Sequence, residues 1–164
     1  MKALLAAFLA LNPAAQAAAP VSPMPLRRDP ACVLAAVAFA MNVRLDPAKP
    51  LPALRLETLT PLAEFQDAAQ RQWGTRPDVF LNLYSVAEEK IYLIEDADYY
   101  ARMRRDIADS LAHELAHYVQ VHYKGYTADQ LQYGEEEAIH IQTWFRDNYV
   151  RGTAPAGAPA CPAR

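Results

Sequence analysis

Two histidines and a glutamate lie close together near residue 115 with the spacing of a metal site. Residues 113–117 read His-Glu-Leu-Ala-His. On a helix, His113 and His117 lie on one face, one turn apart, so both imidazoles can reach a single tetrahedral ion. Glu114 lies about 100° further around the helix, where its carboxylate can accept a proton from a water molecule beside the ion. The spacing therefore predicts a zinc site with His113 and His117 as ligands and Glu114 as the catalytic base.

The alternative for this motif is a solvated helix face that happens to carry two histidines. A chain of this length and composition contains His-Glu-x-x-His by chance about 0.5% of the time, so the motif is specific but carries a false-positive risk. On a helical wheel, the histidine pair faces away from the apolar side, and therefore faces either solvent or a cleft built by another element. That apolar side is formed by Ile107, Leu111, Leu115, Ala116 and Val119.

A third ligand is expected from the glutamates that begin eighteen residues after His117. Glu135, Glu136 and Glu137 follow one another there, although acidic residues also favour a helix N-terminus without binding metal. Successive residues point about 100° apart, so at most one of the three reaches the ion. Glu136 points away from the apolar side of its helix, whereas Glu135 and Glu137 flank it at about 70° and 90°. We expect Glu135 to be the ligand, with Glu137 second, because small Ala138 one turn later lets the two helices approach closely.

These motifs together resemble those of the gluzincin metallopeptidases. His113-Glu114-x-x-His117 with a downstream glutamate is the pattern of that group, and Glu135-x-x-Ala138 is similar to the element that carries the third ligand in several of its members. The combination, with Gln142 following, also resembles small exported bacterial proteins of uncharacterised function. The resemblance covers about residues 79–150. It implies a zincin-like active-site helix and a Zn²⁺ ion held by His113, His117 and Glu135.

The chain departs from related patterns at several positions. The metzincin extension requires Gly and His where this chain has Gln120 and Tyr123. Some gluzincins orient a histidine through an acidic residue four positions after the ligand glutamate, where this chain has Ile139. Asp109, one turn before His113, is our candidate for that role, since it could accept the free imidazole N–H. Alternatively, Asp109 is an ordinary solvated side chain.

The resemblance implies a zinc-dependent metallopeptidase that hydrolyses a peptide or protein substrate, with Glu114 activating the attacking water. The alternative is a non-catalytic zinc-binding or interaction protein that retains a zincin-like site, with His122 or His140 as a fourth ligand. We discount His122 because it falls on the apolar side of its helix. In related folds the last strand before the motif pairs with substrate, which would be residues 91–94 here, unless the hairpin is purely structural. A tyrosine near the motif could stabilise the oxyanion, with no basis for a choice among Tyr118, Tyr123, Tyr126 and Tyr133.

The elements that position these residues are predicted from apolar periodicity and from Pro and Gly signals. The fold class is α+β: a mainly helical single domain with a small antiparallel sheet. The predicted helices cover residues 31–41, about 61–73, 98–123 and 135–150. A predicted strand covers 54–58, and an antiparallel hairpin joins 79–84 to 90–94. Residues 126–134 are predicted to form a loop.

The bulk composition fits one exported domain. The chain has 164 residues, of which 52% are hydrophobic, and a net charge of -3 without a basic stripe, so nucleic acid is not expected as a partner. Residues 1–17 resemble a signal peptide: Lys2 precedes a short apolar run, and cleavage is expected after Ala17, or alternatively after Ala19. The run is shorter than the ~20 residues of a membrane span. We therefore predict a periplasmic or secreted protein with no stable membrane anchor after cleavage.

The mature chain is predicted to have an extended leader, a zincin-like domain and a flexible tail. These parts cover residues 18–28, 29–151 and 152–164, and the tail is rich in Ala, Pro and Gly. Cys32 and Cys161 are the two cysteines, and an even number in an exported protein favours a disulfide over two free thiols. Neither cysteine lies near the histidines in sequence, so neither is assigned to the metal.

Overall fold

The computed structural model of this chain describes residues 22–164. The predicted signal peptide, its cleavage site and the first residues of the leader lie outside that range. The described residues form an α+β domain, as predicted. Its helices are α1 (Pro30–Ala40), α2 (Leu62–Trp73), α3 (Ala97–Met103), α4 (Ile107–Lys124) and α5 (Leu131–Phe145), and its strands are β1 (Ala53–Leu56), β2 (Leu83–Ser85) and β3 (Lys90–Leu93).

Helix α4 lies at the centre of the domain and is buried on almost every side. It packs against α1, α5, β2 and β3. Its apolar side faces the core as the helical wheel predicts, and Leu111, Leu115 and Val119 have no exposed surface. Its other side carries polar residues that are also buried, among them Asp109 and Gln120. Buried polar groups require partners, and α5 supplies them.

The sheet is mixed, whereas the sequence predicts an antiparallel one. The hairpin is confirmed, since β2 and β3 pair antiparallel with Tyr84 opposite Ile91. The first strand, however, pairs parallel with β3, with Leu54 opposite Ile91. Helix α2 and β2 lie between these two strands in the chain, which provides the long connection that a parallel pair needs.

Strand β3 is the central strand of this sheet, in the order β1-β3-β2. Both of its edges are therefore occupied, and our expectation that residues 91–94 pair with substrate is wrong. Among the described strands, β2 has no partner on its other side. The free edge near the metal motif is thus that of residues 83–85.

The predicted long helix over residues 98–123 is two helices. Helix α3 ends at Arg104, which has the left-handed φ of 53°, and α4 begins after Asp106. The Asp106 side chain caps α4, while the Asp109 carboxylate accepts a hydrogen bond from the Asp106 N–H at 3.0 Å. This reciprocal capping box satisfies free N–H groups at the helix start and favours a new helix there. Asp106-x-x-Asp109 was the sequence signal for this boundary.

The segment predicted as a loop over residues 126–134 contains the start of the last helix. A short 3₁₀ turn covers Ala128–Gln130, and α5 begins directly after it at Leu131. Gly134 is therefore an interior residue of α5 and not a loop glycine. After Phe145 the helix widens into a π-helical turn over Arg146–Val150.

The two ends of the described chain meet beside α1. The predicted disulfide is confirmed and joins Cys32 to Cys161, which are 129 residues apart. The Arg28 guanidinium donates to the carbonyl oxygens of Tyr149 and Cys161, and the Tyr149 hydroxyl donates to the Pro159 carbonyl at 2.9 Å. The segment predicted as a flexible tail thus lies against the domain without forming a helix or strand. No helix among residues 22–164 is both long and apolar enough to span a membrane.

Candidate metal centre

The structure brings His113, His117 and Glu135 together at the contact between α4 and α5. The Nε2 atoms of the two histidines are 3.2 Å apart. The Glu135 carboxylate lies 3.4 Å from His113 Nε2 through one oxygen and 3.3 Å from His117 Nε2 through the other. One potential ligand atom from each residue lies within 4.8 Å of the other two. His117 is buried, and 17% of the surface of the His113 side chain is exposed.

These distances agree with the size of a tetrahedral zinc site. Zinc binds histidine nitrogen and carboxylate oxygen at about 2.0–2.1 Å, so neighbouring ligand atoms on a tetrahedron are about 3.3 Å apart. The two histidine nitrogens are 3.2 Å apart, close to this value, and they lie 3.4 and 3.3 Å from two different oxygens of the Glu135 carboxylate. Two imidazoles and one carboxylate are also a ligand set that zinc accepts while one position stays open. The residues present therefore fit the ion that the motif implies.

The other two glutamates of the triplet have different positions. Glu137 accepts from Lys124 Nζ at 2.5 Å and from Gln120 Nε2 at 3.1 Å. Glu136 is exposed. Only Glu135 points at the histidine pair, because it lies one turn into α5 on the side that faces α4.

Gln120 fixes the orientation of the His117 ring. Its Nε2 donates to the Gly134 carbonyl at 2.8 Å, and its Oε1 lies 2.9 Å from His117 Nδ1. With the amide oriented by the first bond, Oε1 can only accept, so His117 Nδ1 donates to it, and the ring is held with Nε2 facing Glu135 and His113. From the sequence, Gln120 is only a departure from the metzincin pattern. Its role depends on Gly134, which the sequence predicts in a loop and the structure places inside α5.

The expected contact between Asp109 and His113 is not formed. The Asp109 carboxylate instead accepts from Gln142 Nε2 at 2.9 Å and from the Asp106 N–H. The correction has a simple cause: the capping box turns this carboxylate toward the N-terminus of α4. The buried Nδ1 of His113 has no hydrogen-bond partner among the described residues. Gln142, one of the residues on which the resemblance rests, thus links α5 to the start of α4 through this hydrogen bond.

Glu114 is buried beside the histidine pair, with 5% of its surface exposed. Burial raises the pKa of its carboxyl. The neighbouring His113 and His117 and a hydrogen bond from the Tyr84 backbone act to lower this pKa, but burial has the larger effect. Hydrogen bonds with His113 and His117 hold the pKa of Glu135 well below its usual range. Burial alone would lower the pKa of His117, but Glu135, Glu114 and Gln120 outweigh it and raise the pKa. The pKa values of the two glutamates are therefore shifted in opposite directions, upward for Glu114 and downward for Glu135.

An open cleft passes over these residues in two arms. Trp73, Asn82, His113, Glu114 and Glu135 line both arms. The first, which we call the Asp129 arm, has a volume of about 420 Å³ and extends past Tyr84 and His117 to Asp129 and Gln132. The second, the Arg105 arm, has a volume of about 320 Å³ and extends past Ile94 and Tyr99 to Arg105.

Asn82 lines the cleft although the sequence did not predict it, and the four tyrosines expected near the motif do not line the cleft. The Asn82 Oδ1 accepts from the Ile94 N–H at 2.9 Å, which fixes the orientation of the amide. Of the four tyrosines considered, Tyr118 donates to the Pro50 carbonyl and Tyr133 is 78% exposed. A polar residue inside the apolar run 79–84 was the only sequence signal for Asn82.

His122 and His140 do not join the group of three ligands. His122 Nε2 lies 3.0 Å from the Tyr84 hydroxyl and 3.5 Å from Glu89, and His140 is exposed. Comparisons with models of protein families, with curated proteins and with solved structures found no match to this chain.

Proposed function

We propose that this protein is a zinc-dependent metallopeptidase. The observation that carries the proposal is the close approach of His113, His117 and Glu135, whose potential ligand atoms lie within 4.8 Å of one another, in an open cleft that also contains buried Glu114. Peptide hydrolysis needs an electrophilic metal, a base and room for an extended substrate. This site offers residues for the first two requirements and the two-armed cleft for the third.

His113, His117 and Glu135 would hold the ion. When bound, zinc acts as a Lewis acid and lowers the pKa of a coordinated water toward about 7. Glu114 takes the proton of the attacking water and later passes it to the leaving amine. Its raised pKa favours the protonated form that it must adopt between these two transfers. Gln120 keeps the lone pair of His117 Nε2 directed at the ligand group.

The absence of a fourth protein ligand favours an enzyme over a structural zinc protein. Structural zinc sites usually close the tetrahedron with a fourth side chain, whereas catalytic sites leave one position open. Among residues 22–164, the group of potential ligands contains three members. A structural site would also have no need for a buried carboxylate at Glu114, since burying an acidic group without a task costs stability.

Substrate would lie across both arms of the cleft, beside the free edge of β2. Leu83 and Tyr84 of this strand line the Asp129 arm, so an extended peptide could add to its unpaired edge. Asn82 lines both arms, and because its oxygen accepts from the Ile94 N–H, Nδ2 is the atom of this amide that could donate to substrate. We assign Asn82 the stabilisation of the developing oxyanion, in place of the tyrosines expected from the sequence.

We also propose that the protein is exported to the periplasm or secreted. The Cys32–Cys161 disulfide supports an oxidising compartment. The signal-like residues 1–17 point the same way.

The variant Glu114→Gln tests the enzymatic proposal. The zinc-loaded variant should bind one ion as the wild type does, but cleave a mixed-sequence peptide library about 10²–10⁴-fold more slowly, because the amide cannot take a proton. Zinc content is measured by mass spectrometry and cleavage by product sequencing. Glu136→Gln is the matched control, since it makes the same change at an exposed glutamate. If the zinc-loaded wild type cleaves nothing in the library, the proposal is wrong and a non-catalytic zinc protein remains.

A further inference from the structure

The Arg105 arm of the cleft contains a cation whose role the hydrolytic machinery does not explain. Arg105 is the only arginine or lysine that lines either arm among the described residues. It is half-buried, and its backbone is fixed by a hydrogen bond from its N–H to the Tyr100 carbonyl at 3.0 Å. It follows the left-handed Arg104 at the junction of α3 and α4.

Arg105 has no carboxylate partner within residues 22–164. None of the described ion pairs includes it, although Arg102, Arg146 and Arg151 nearby all have one. A half-buried guanidinium loses part of its hydration and regains that free energy when it pairs with an anion. Guanidinium groups bind carboxylates through two parallel hydrogen bonds, which gives this pairing direction as well as strength. The position of Arg105 in the cleft therefore favours an external anion.

The remaining lining of this arm indicates what else the ligand carries. Between the metal ligands and Arg105 the walls are formed mainly by the apolar or aromatic side chains of Leu81, Ile94, Tyr99 and Ile139. The other arm differs in charge, because it ends at Asp129 and Gln132. The two arms thus differ in charge: the lining of the Arg105 arm includes a cation, and that of the Asp129 arm includes a further carboxylate.

We propose that Arg105 binds a carboxylate of the substrate, and that the Arg105 arm is a specificity subsite for a residue with an apolar body and a negative charge. This inference rests on the proposed peptidase function and adds its substrate class. The carboxylate has two possible sources, the free C-terminus of a peptide or an acidic side chain. Both would be held in an arm whose lining also includes His113, Glu114 and Glu135.

The test uses hydroxamic acids joined to one to three amino-acid residues, because a hydroxamate chelates zinc and anchors the probe at the site. Each probe is made with a C-terminal carboxylate and with a C-terminal amide. In a second pair of probes both members have a C-terminal amide, and one contains Glu where the other contains Gln. Calorimetry on the zinc-loaded full protein measures affinity without requiring cleavage. In wild type, one of the two carboxylate forms should bind at least about tenfold more tightly than its neutral partner, as expected of one charge-assisted pair.

The variant Arg105→Ala should abolish this ratio between the affinities of the carboxylate probe and its neutral partner. Arg105→Lys should keep part of it, since lysine retains the charge without the planar guanidinium group. Arg102→Ala is the matched control: it removes the same charge from an exposed position on α3 that does not line the cleft, so the ratio should survive. An equal ratio in Arg105→Ala and wild type overturns the proposal. A loss of the ratio in Arg102→Ala also overturns it, because the effect would then be a general surface field.

Cleavage assays separate this proposal from the one on which it rests. If the wild type cleaves peptides but shows no preference for either carboxylate, the peptidase function stands and the Arg105 subsite is wrong. If the carboxylate probes bind through Arg105 while no peptide is cleaved, the subsite stands as a ligand site and the peptidase function fails.

Discussion

Glu135 and Glu137 are two positions apart on one helix, yet their carboxylates have different partners. Glu135 lies between two histidine nitrogens, whereas Glu137 neutralises Lys124 and accepts from Gln120. The wheel angles in the sequence favoured Glu135 by only about 20°. This preference agrees with the structure because α5 presents that face to α4. The hydrogen bonds that Asp109 and Gln120 form with Gln142 and Gly134 were not predictable, since these partners lie on the next helix.

The two glutamates provide a paired test of the ligand set. Glu135→Ala removes one of three proposed ligands and should weaken zinc binding more than about 100-fold, beyond the range seen when an outer hydrogen-bond partner is lost. Glu137→Ala should change it by less than about tenfold. Competition with a chelator measures both affinities. A loss in Glu137→Ala as large as that in Glu135→Ala would contradict the proposed ligand set.

Helices α4 and α5 approach closely at Gly134, and this approach couples the fold to the metal site. A Cβ atom at Gly134 would lie 2.5 Å from the Gln120 Oε1. No larger residue fits while Gln120 keeps its contact with His117. The helix N-cap at Asp29, the C-cap at Gly74 and the hairpin were predictable because their signals are local. The start of α5 was not predictable. Gly134 allows close packing of α5 against Gln120, whereas its position in the sequence indicated a loop.

Gly134→Ala should weaken zinc binding with little change in stability. The methyl group displaces the end of the Gln120 side chain, and the higher helix propensity of alanine, about 1 kcal/mol, offsets much of the strain. Loss of the hydrogen bond to His117 should lower zinc affinity about 10–100-fold. Gln120→Leu should show the same loss, and the double variant should add little to either, because both act on one contact.

Thermal unfolding and chelator competition measure the two quantities separately. Tyr133→Ala, an exposed change one residue away on α5, serves as the control and should leave zinc affinity unchanged. Additive losses in the double variant would mean that Gly134 and Gln120 act independently.

The architecture places the candidate metal ligands on α4 and α5, and α4 also packs against β2 and β3. The α+β class followed from the sequence, but the partner of β1 did not. A strand of alternating residues specifies which face is buried and leaves open whether its neighbour runs parallel or antiparallel. The tail shows a second limit: its Ala, Pro and Gly content predicts the absence of regular structure, while its attachment depends on single residues, Cys161 and Arg28.

Removing the disulfide should destabilise the domain without altering the zinc ligands directly. The bridge closes a loop of about 130 residues, for which the loss of unfolded-state entropy corresponds to about 2–5 kcal/mol. Cys32→Ser with Cys161→Ser should therefore lower the free energy of unfolding in urea by this amount, and the wild type in reductant should behave alike. Unchanged unfolding of both would show that the bridge contributes nothing to stability.

The same bridge has a consequence for the proposed peptidase activity when the substrate is another copy of this chain. Cys32 and Cys161 enclose nearly every described residue, including the 3₁₀ turn before α5. A single autolytic cut anywhere between them leaves the two pieces covalently joined, and the packed interface between α4 and α5 can still hold the ligand residues in register. Such a nicked molecule would migrate as one band in denaturing electrophoresis without reductant and as two bands with it.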